Sequence, residues 1–152
     1  MELKFQVAGR IARPVSEVFD AVVNPEKLSG YFTTGGAKGR LETGATVMWD
    51  FHDFPGAFPV KVVKVEPNRL IVLRWEAQPE PDDAGSKDTT VTMTFTGLDD
   101  GRTLVTIAEE GWCPTAAGLK SSYGNCEGWS QMLCAMKVYV EHGINLRHDF
   151  YQ

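Results

Sequence analysis

Between Ala45 and Glu109 the chain runs through five short stretches of strand-like composition, and the links between them hold it to an antiparallel sheet. Ala45–Asp53 places Val47, Trp49 and Phe51 on one face. Phe58–Glu66 and Leu70–Ala77 flank Glu66-Pro67-Asn68-Arg69, a turn sequence with proline and asparagine where a hairpin needs them. Thr89–Thr96 sets Val91, Met93 and Phe95 against a face of threonines, and Thr103–Glu109 carries Val105 and Ile107 after the turn Asp99-Asp100-Gly101. A parallel pair would need a crossover of roughly a dozen residues or more, usually a helix, and these turns are too short to hold one. The longest link, Gln78–Asp88, is acidic and contains two prolines and a glycine, which predicts a hairpin tip outside the packed core.

The flanking segments supply the helices. Leu3–Ile11 alternates, with Leu3, Phe5, Val7 and Ile11 on one side and Lys4, Gln6 and Arg10 on the other, so a half-buried strand is expected. Pro14 suits a helix start, followed by Val15, Val18, Phe19 and Val22 at helical spacing; Asn24-Pro25-Glu26 repeats the start signal. The Gly- and Thr-rich stretch after it predicts a loop with a short strand near Arg40–Glu42, and Thr33–Gly39 offers no obvious anchoring residue. Gly128–Gly143 reads as a helix whose main stripe is Trp129, Met132, Leu133, Met136, Tyr139 and Val140, with a thinner stripe of Cys134, Ala135 and Val138. Gly143 is its stop and His142 suits its negative end. Gly118, Gly124 and Gly128 weaken any extension upstream toward Pro114. The order is strand, two short helices, about six strands and one long helix. That is an α+β chain, expected to form a single domain over residues 1–152.

Composition narrows the partners. The formal net charge is −5 and no run of Lys or Arg stands out, so nucleic acid is not expected as a partner. No apolar run reaches bilayer length, so membrane insertion is not expected. The first residues alternate without the apolar core of a signal peptide, and a cytoplasmic location is the default expectation. Cys113, Cys126 and Cys134 have no CxxC spacing and read as free thiols. His52, His142 and His148 lack metal-ligand spacing, no GxSxG is present, and Gly35-Gly36-Ala37-Lys38-Gly39 lacks the flanks of a phosphate loop. No metal or cofactor is expected. The tail from Arg147 to Tyr151 is expected to fray.

Three stretches together carry a resemblance. They are Ile11-Ala-Arg-Pro-Val-Ser-Glu-Val-Phe-Asp-Ala-Val-Val-Asn-Pro-Glu-Lys-Leu28 with Tyr31-Phe32, then Gly44-Ala-Thr-Val-Met-Trp-Asp-Phe51 with the hairpin Val65–Glu76, and Gly128-Trp129 leading to Leu133 and Lys137. In this order they resemble the SRPBCC superfamily of helix-grip proteins, and within it the branch named after the C-terminal domain of the activator of the heat-shock-protein-ninety ATPase. The resemblance implies a curved antiparallel sheet of six to seven strands wrapped on the long C-terminal helix, with a cavity between them that is often open to apolar ligands.

On that expectation Trp49, Phe51, Phe58, Trp75, Met93, Trp112, Trp129, Met132 and Met136 fall on inward positions and form either a filled core or the wall of a ligand cavity. The leading expectation is binding of a small hydrophobic or amphipathic molecule there. An enzyme of the cyclase or aromatase type would need Asp53, Arg74, Glu109 or Tyr123 deep in the cavity. An interaction module of the co-chaperone kind would use the Cys134, Ala135, Val138 stripe or a strand edge to hold a partner or a second copy.

Overall fold

The hairpin turns form where the sequence places them. Asn68 takes a left-handed φ of 62° behind Pro67, the pairing a type II turn favours, and Arg69 N–H closes the turn on Glu66 C=O at 3.1 Å. A computed structural model describes residues 1–76 and 88–150, so the Gln78–Asp88 link and Tyr151 lie largely outside the described residues. Its elements are β1 (Lys4–Ile11), α1 (Val15–Val23), α2 (Pro25–Leu28), β2 (Gly36–Lys38), β3 (Thr46–Phe51), β4 (Phe54–Glu66), β5 (Leu70–Glu76), β6 (Asp88–Gly97), β7 (Thr103–Glu110) and α3 (Ala116–His142). The strands form one seven-stranded sheet in the order β1-β7-β6-β5-β4-β3-β2, antiparallel throughout. Register shifts between Trp49 and Phe51 in β3 and between Val62 and Lys64 in β4 add local twist, which helps the sheet curl.

The inner face follows the predicted parity. Val47, Trp49, Val60, Val62, Ile71, Leu73, Val91, Met93, Phe95, Val105 and Ile107 are all buried. Against them lie Trp129, Met132, Leu133, Ala135 and Met136 of α3. The result is the helix-grip architecture. Helix α1 closes one end of the sheet, with Phe19 edge-on to Phe95 at 5.2 Å. Asn24 caps α2 by accepting from Glu26 N–H at 3.0 Å.

Three segments depart from expectation. The short strand is Gly36–Lys38, not Arg40–Glu42. Its loop is anchored by bonds that leave no periodic trace: Ala37 N–H donates to Ser29 Oγ at 3.0 Å, Gly35 N–H to Asp50 C=O at 2.9 Å, and His52 N–H to Thr34 Oγ1 at 2.8 Å. Helix α3 begins at Ala116, well before Gly128. Thr115 caps it by accepting from Gly118 N–H at 3.0 Å. Gly118 is required there, because an added Cβ would lie 1.9 Å from the Cys113 carbonyl oxygen. At its other end α3 stops as expected, with Gly143 at φ 71°. Finally, Arg147 does not fray. It is 7% exposed, donates to Phe32 C=O at 3.2 Å and lies over the Phe32 ring, its guanidinium carbon 5.1 Å from the centroid.

Candidate functional site

Of the four charged or polar candidates Asp53, Arg74, Glu109 and Tyr123, Glu109 alone is buried. It is 1% exposed, on the same face of β7 as Val105 and Ile107, whereas Asp53, Arg74 and Tyr123 are exposed. Burial raises its pKa above the ordinary glutamate value, and hydrogen bonds from Thr89, Trp75, Trp129 and Asn125 pull against that rise. Thr89 Oγ1 donates to Oε2 at 2.7 Å and Trp75 Nε1 to the same oxygen at 2.8 Å. Trp129 Nε1 donates to Oε1 at 2.9 Å. Asn125 Nδ2 reaches both oxygens, at 3.1 and 3.0 Å.

The fold brings these groups together by register and helical period. Trp75 sits opposite Thr89 on β5 and β6, and Glu109 sits opposite Val91 on β7 and β6. Thr89, two residues from Val91, therefore shares the face of Glu109. Asn125 and Trp129 are four apart on α3 and share a helix face. Both indole N–H groups can only donate. The network therefore suits the ionised carboxylate and occupies its acceptor positions.

On the outer side of this network is a cavity of about 290 Å³ between the β3–β5 end of the sheet and the N-terminal half of α3. Five aromatic rings in its wall form a closed circuit. Ring centroids lie 5.0 Å apart for Phe32–Phe51, 5.9 Å for Phe51–Phe58, 5.7 Å for Phe58–Trp75, 5.4 Å for Trp75–Trp129 and 5.3 Å for Trp129–Phe32. Gly124, Asn125, Gly128 and Gln131 of α3 complete the wall, with Asp53, Glu76 and Arg147 as its charged members. A Cβ added at Gly124 or Gly128 would meet nothing within 4 Å, so these glycines leave open space beside the helix.

Of the nine inward residues singled out by sequence, Phe51, Phe58, Trp75 and Trp129 line this cavity. Trp49, Met93, Met132 and Met136 lie in the packed core instead, each no more than 1% exposed. Trp49 backs the wall, edge-on to Phe32 and Trp75 at 5.6 and 5.9 Å. Trp112 is buried against Phe5, ring centroids 5.6 Å apart, and is not among the lining residues. Phe32, Thr89, Asn125 and Arg147 were not anticipated. Thr89 shares strand parity with Val91 and Met93, and Asn125 shares helical spacing with Trp129, so both carried a usable signal. Phe32 and Arg147 sit in a loop and a tail, where no period exists to read. Among the described residues no group of three His, Cys, Asp or Glu side chains is placed to hold a metal ion.

Residues 12–141 match the family described as "Activator of Hsp90 ATPase homolog 1-like protein". The chain belongs to that family. Solved structures agree in fold. Protein SSP2350 from Staphylococcus saprophyticus is 28% identical, with a TM-score of 0.75 over 97% of this chain and 96% of that one. DynU16, a putative protein in the dynemicin biosynthetic locus, is 26% identical with a TM-score of 0.78; the match covers 98% of this chain but 51% of DynU16. The Aha1 dimer from Colwellia psychrerythraea, at 18% identity, has a TM-score of 0.73 over 92% of this chain and 97% of that one. No curated protein matches the sequence. No described helix is long and apolar enough to cross a membrane.

Proposed function

We propose that this member of the family binds a small apolar or amphipathic molecule in the cavity between the sheet and the N-terminal half of α3, without carrying out chemistry on it. The observation that supports this reading is the set of five mutually packed rings lining a cavity of about 290 Å³, whereas Met93, Met132 and Met136 elsewhere between sheet and helix are fully buried. Ligand sites are typically apolar concavities from about 300 Å³ upward with a few fixed polar groups, and this cavity, at about 290 Å³, lies at the lower limit. Glu109 acts from behind the wall. It locks the rotamers of Trp75, Asn125 and Trp129, so their surfaces are set before a ligand arrives, and pre-set walls lower the ordering cost of binding. Because its acceptor positions are occupied, taking a proton from a substrate would first require it to release a donor. That favours a positioning role over a catalytic one.

The test uses the two indoles in the wall as reporters. The purified chain is titrated with a panel of apolar and amphipathic aromatics while tryptophan fluorescence and thermal midpoint are followed. At least one compound should shift both in a saturable way, and Phe58→Ala should weaken that binding. A panel that shifts neither signal, together with no co-purifying small molecule in native mass spectrometry, defeats the proposal.

A further inference from the structure

Asn125 is tied on one side and open on the other. Its Nδ2 donates to both oxygens of Glu109, at 3.1 and 3.0 Å. An ionised carboxylate only accepts, so the amide has one orientation, with Nδ2 toward Glu109 and Oδ1 turned away. Among the described residues Oδ1 accepts no hydrogen bond. Nor is it sealed. The buried side-chain atoms left without a partner include Trp49 Nε1 and Trp112 Nε1 but no atom of Asn125, which is half-buried and lines the cavity. The tie to Glu109 thus holds an unbonded acceptor open in a fixed direction.

The helix keeps that acceptor uncovered. A helical side chain leans back over the turn before it, so a residue three or four positions further on covers its predecessor. Position 128, three beyond Asn125, is glycine, and a Cβ added there would meet nothing within 4 Å. Trp129, four beyond, is engaged with Glu109 Oε1 at 2.9 Å. Gln131 and Arg147 bring donors to the same lining, with Gln131 Nε2 on Glu127 Oε1 at 3.3 Å and Arg147 on the Phe32 carbonyl at 3.2 Å. A hydroxyl suits such a wall, because it both donates and accepts.

Resting on the ligand-binding reading above, we infer that Asn125 sets the specificity of the cavity and selects an apolar molecule carrying a hydroxyl, which donates to Asn125 Oδ1. A hydroxyl buried without a partner costs free energy that a methyl of the same size does not. A methyl seated against Oδ1 leaves that acceptor unmade. The residue therefore discriminates by hydrogen bonding rather than by shape.

Three probes of nearly one size test it by calorimetry on the full chain: 4-propylphenol, 4-propyltoluene, in which a methyl replaces the hydroxyl, and 4-propylbenzaldehyde, which accepts but cannot donate. The phenol should bind at least as tightly as the toluene and more tightly than the aldehyde. Asn125→Leu should lower the phenol-to-toluene affinity ratio about ten-fold. Reading the ratio within one protein cancels any general loosening of the wall. Asp53→Asn, at an exposed position of the same lining, should leave the ratio unchanged. Tighter binding of the toluene by the unaltered chain overturns the inference, as does a ratio that Asn125→Leu leaves unmoved or that Asp53→Asn lowers equally. Tightest binding of the aldehyde overturns it in favour of the donors Gln131 and Arg147. Should Asn125→Leu fail to fold, the three probes on the unaltered chain decide alone. If none of the three binds while compounds of the apolar panel do, the hydroxyl inference fails alone; if neither set binds, the ligand-binding reading fails with it.

Discussion

The two halves of α3 meet the same sheet and make opposite surfaces. From Met132 to Met136 the helix is packed: Met132, Leu133, Ala135 and Met136 are buried against the strands. From Gly124 to Gln131 it presents two bare glycines, an asparagine, a glutamine and a tryptophan to an open cavity. One helix thus holds the fold together at one end and leaves room at the other. The difference lies in side-chain volume rather than in backbone. Stability and ligand affinity should accordingly respond to different residues, and often with opposite sign.

The sharpest separation should come from the packed half. Met136→Ala removes a fully buried side chain and should cost about 2–5 kcal/mol in denaturant unfolding, with little change in ligand affinity once the variant is folded. Equal loss of affinity in a folded Met136→Ala would break the comparison. Next in size is Glu109→Gln. The amide keeps one acceptor but turns an N–H pair toward groups that only donate, so about 1–3 kcal/mol should be lost. This substitution also tests pH linkage. The folded Glu109 carboxyl titrates above its ordinary value. The folded state therefore holds that proton more firmly than the unfolded chain does. Glu109 favours folding most at low pH, and its contribution falls as pH climbs from the ordinary glutamate range to the folded value. Unfolding curves of the wild type should show that decline, and Glu109→Gln should flatten it.

Smaller effects should come from the open half. Gly128→Ala places a methyl in empty space on a helix interior, so stability should rise by up to about 1 kcal/mol while ligand affinity falls. Gly118→Ala is its counterpart: the same chemical change, but with the Cys113 carbonyl in the way, so it should destabilise the helix start. A rise in both stability and affinity for Gly128→Ala would mean the cavity is not the binding site. Smallest is Asp53→Asn, which should leave the unfolding free energy unchanged within about 0.5 kcal/mol.

What could be read from the sequence follows from periodicity. Strand parity placed Glu109 with Val105 and Ile107, and the 3.6-residue period joined Trp129, Met132 and Met136. These are local regularities that survive folding unchanged. The start of α3 was not legible, because Gly118, Gly124 and Gly128 count against a helix by intrinsic propensity. Tertiary ties override that weak preference: the Thr115 cap at the start, and Asn125 and Trp129 held to Glu109. The division between core and cavity was not legible either. Met132 and Trp129 lie on one stripe, yet only Trp129 borders the open space. Which of them does so depends on how the loop carrying Phe32 and the tail carrying Arg147 close the end of the sheet, and both act over long sequence separation.

The outermost strand carries a consequence for how the molecule is made. β1 pairs only with β7 among the described residues, Lys4 opposite Glu110 and Ile11 opposite Thr103, so this strand is synthesised about a hundred residues before its partner in the sheet. At roughly 5–20 residues per second, that is a wait of about 5–20 s on the ribosome. During that interval Leu3, Phe5, Val7 and Ile11 form an unpaired, half-apolar edge, the kind of segment that pairs with the wrong chain. Lys4 and Arg10 on its other face are the charged residues that discourage such pairing. The strand that completes the sheet is therefore the part of the nascent chain most exposed to misassembly.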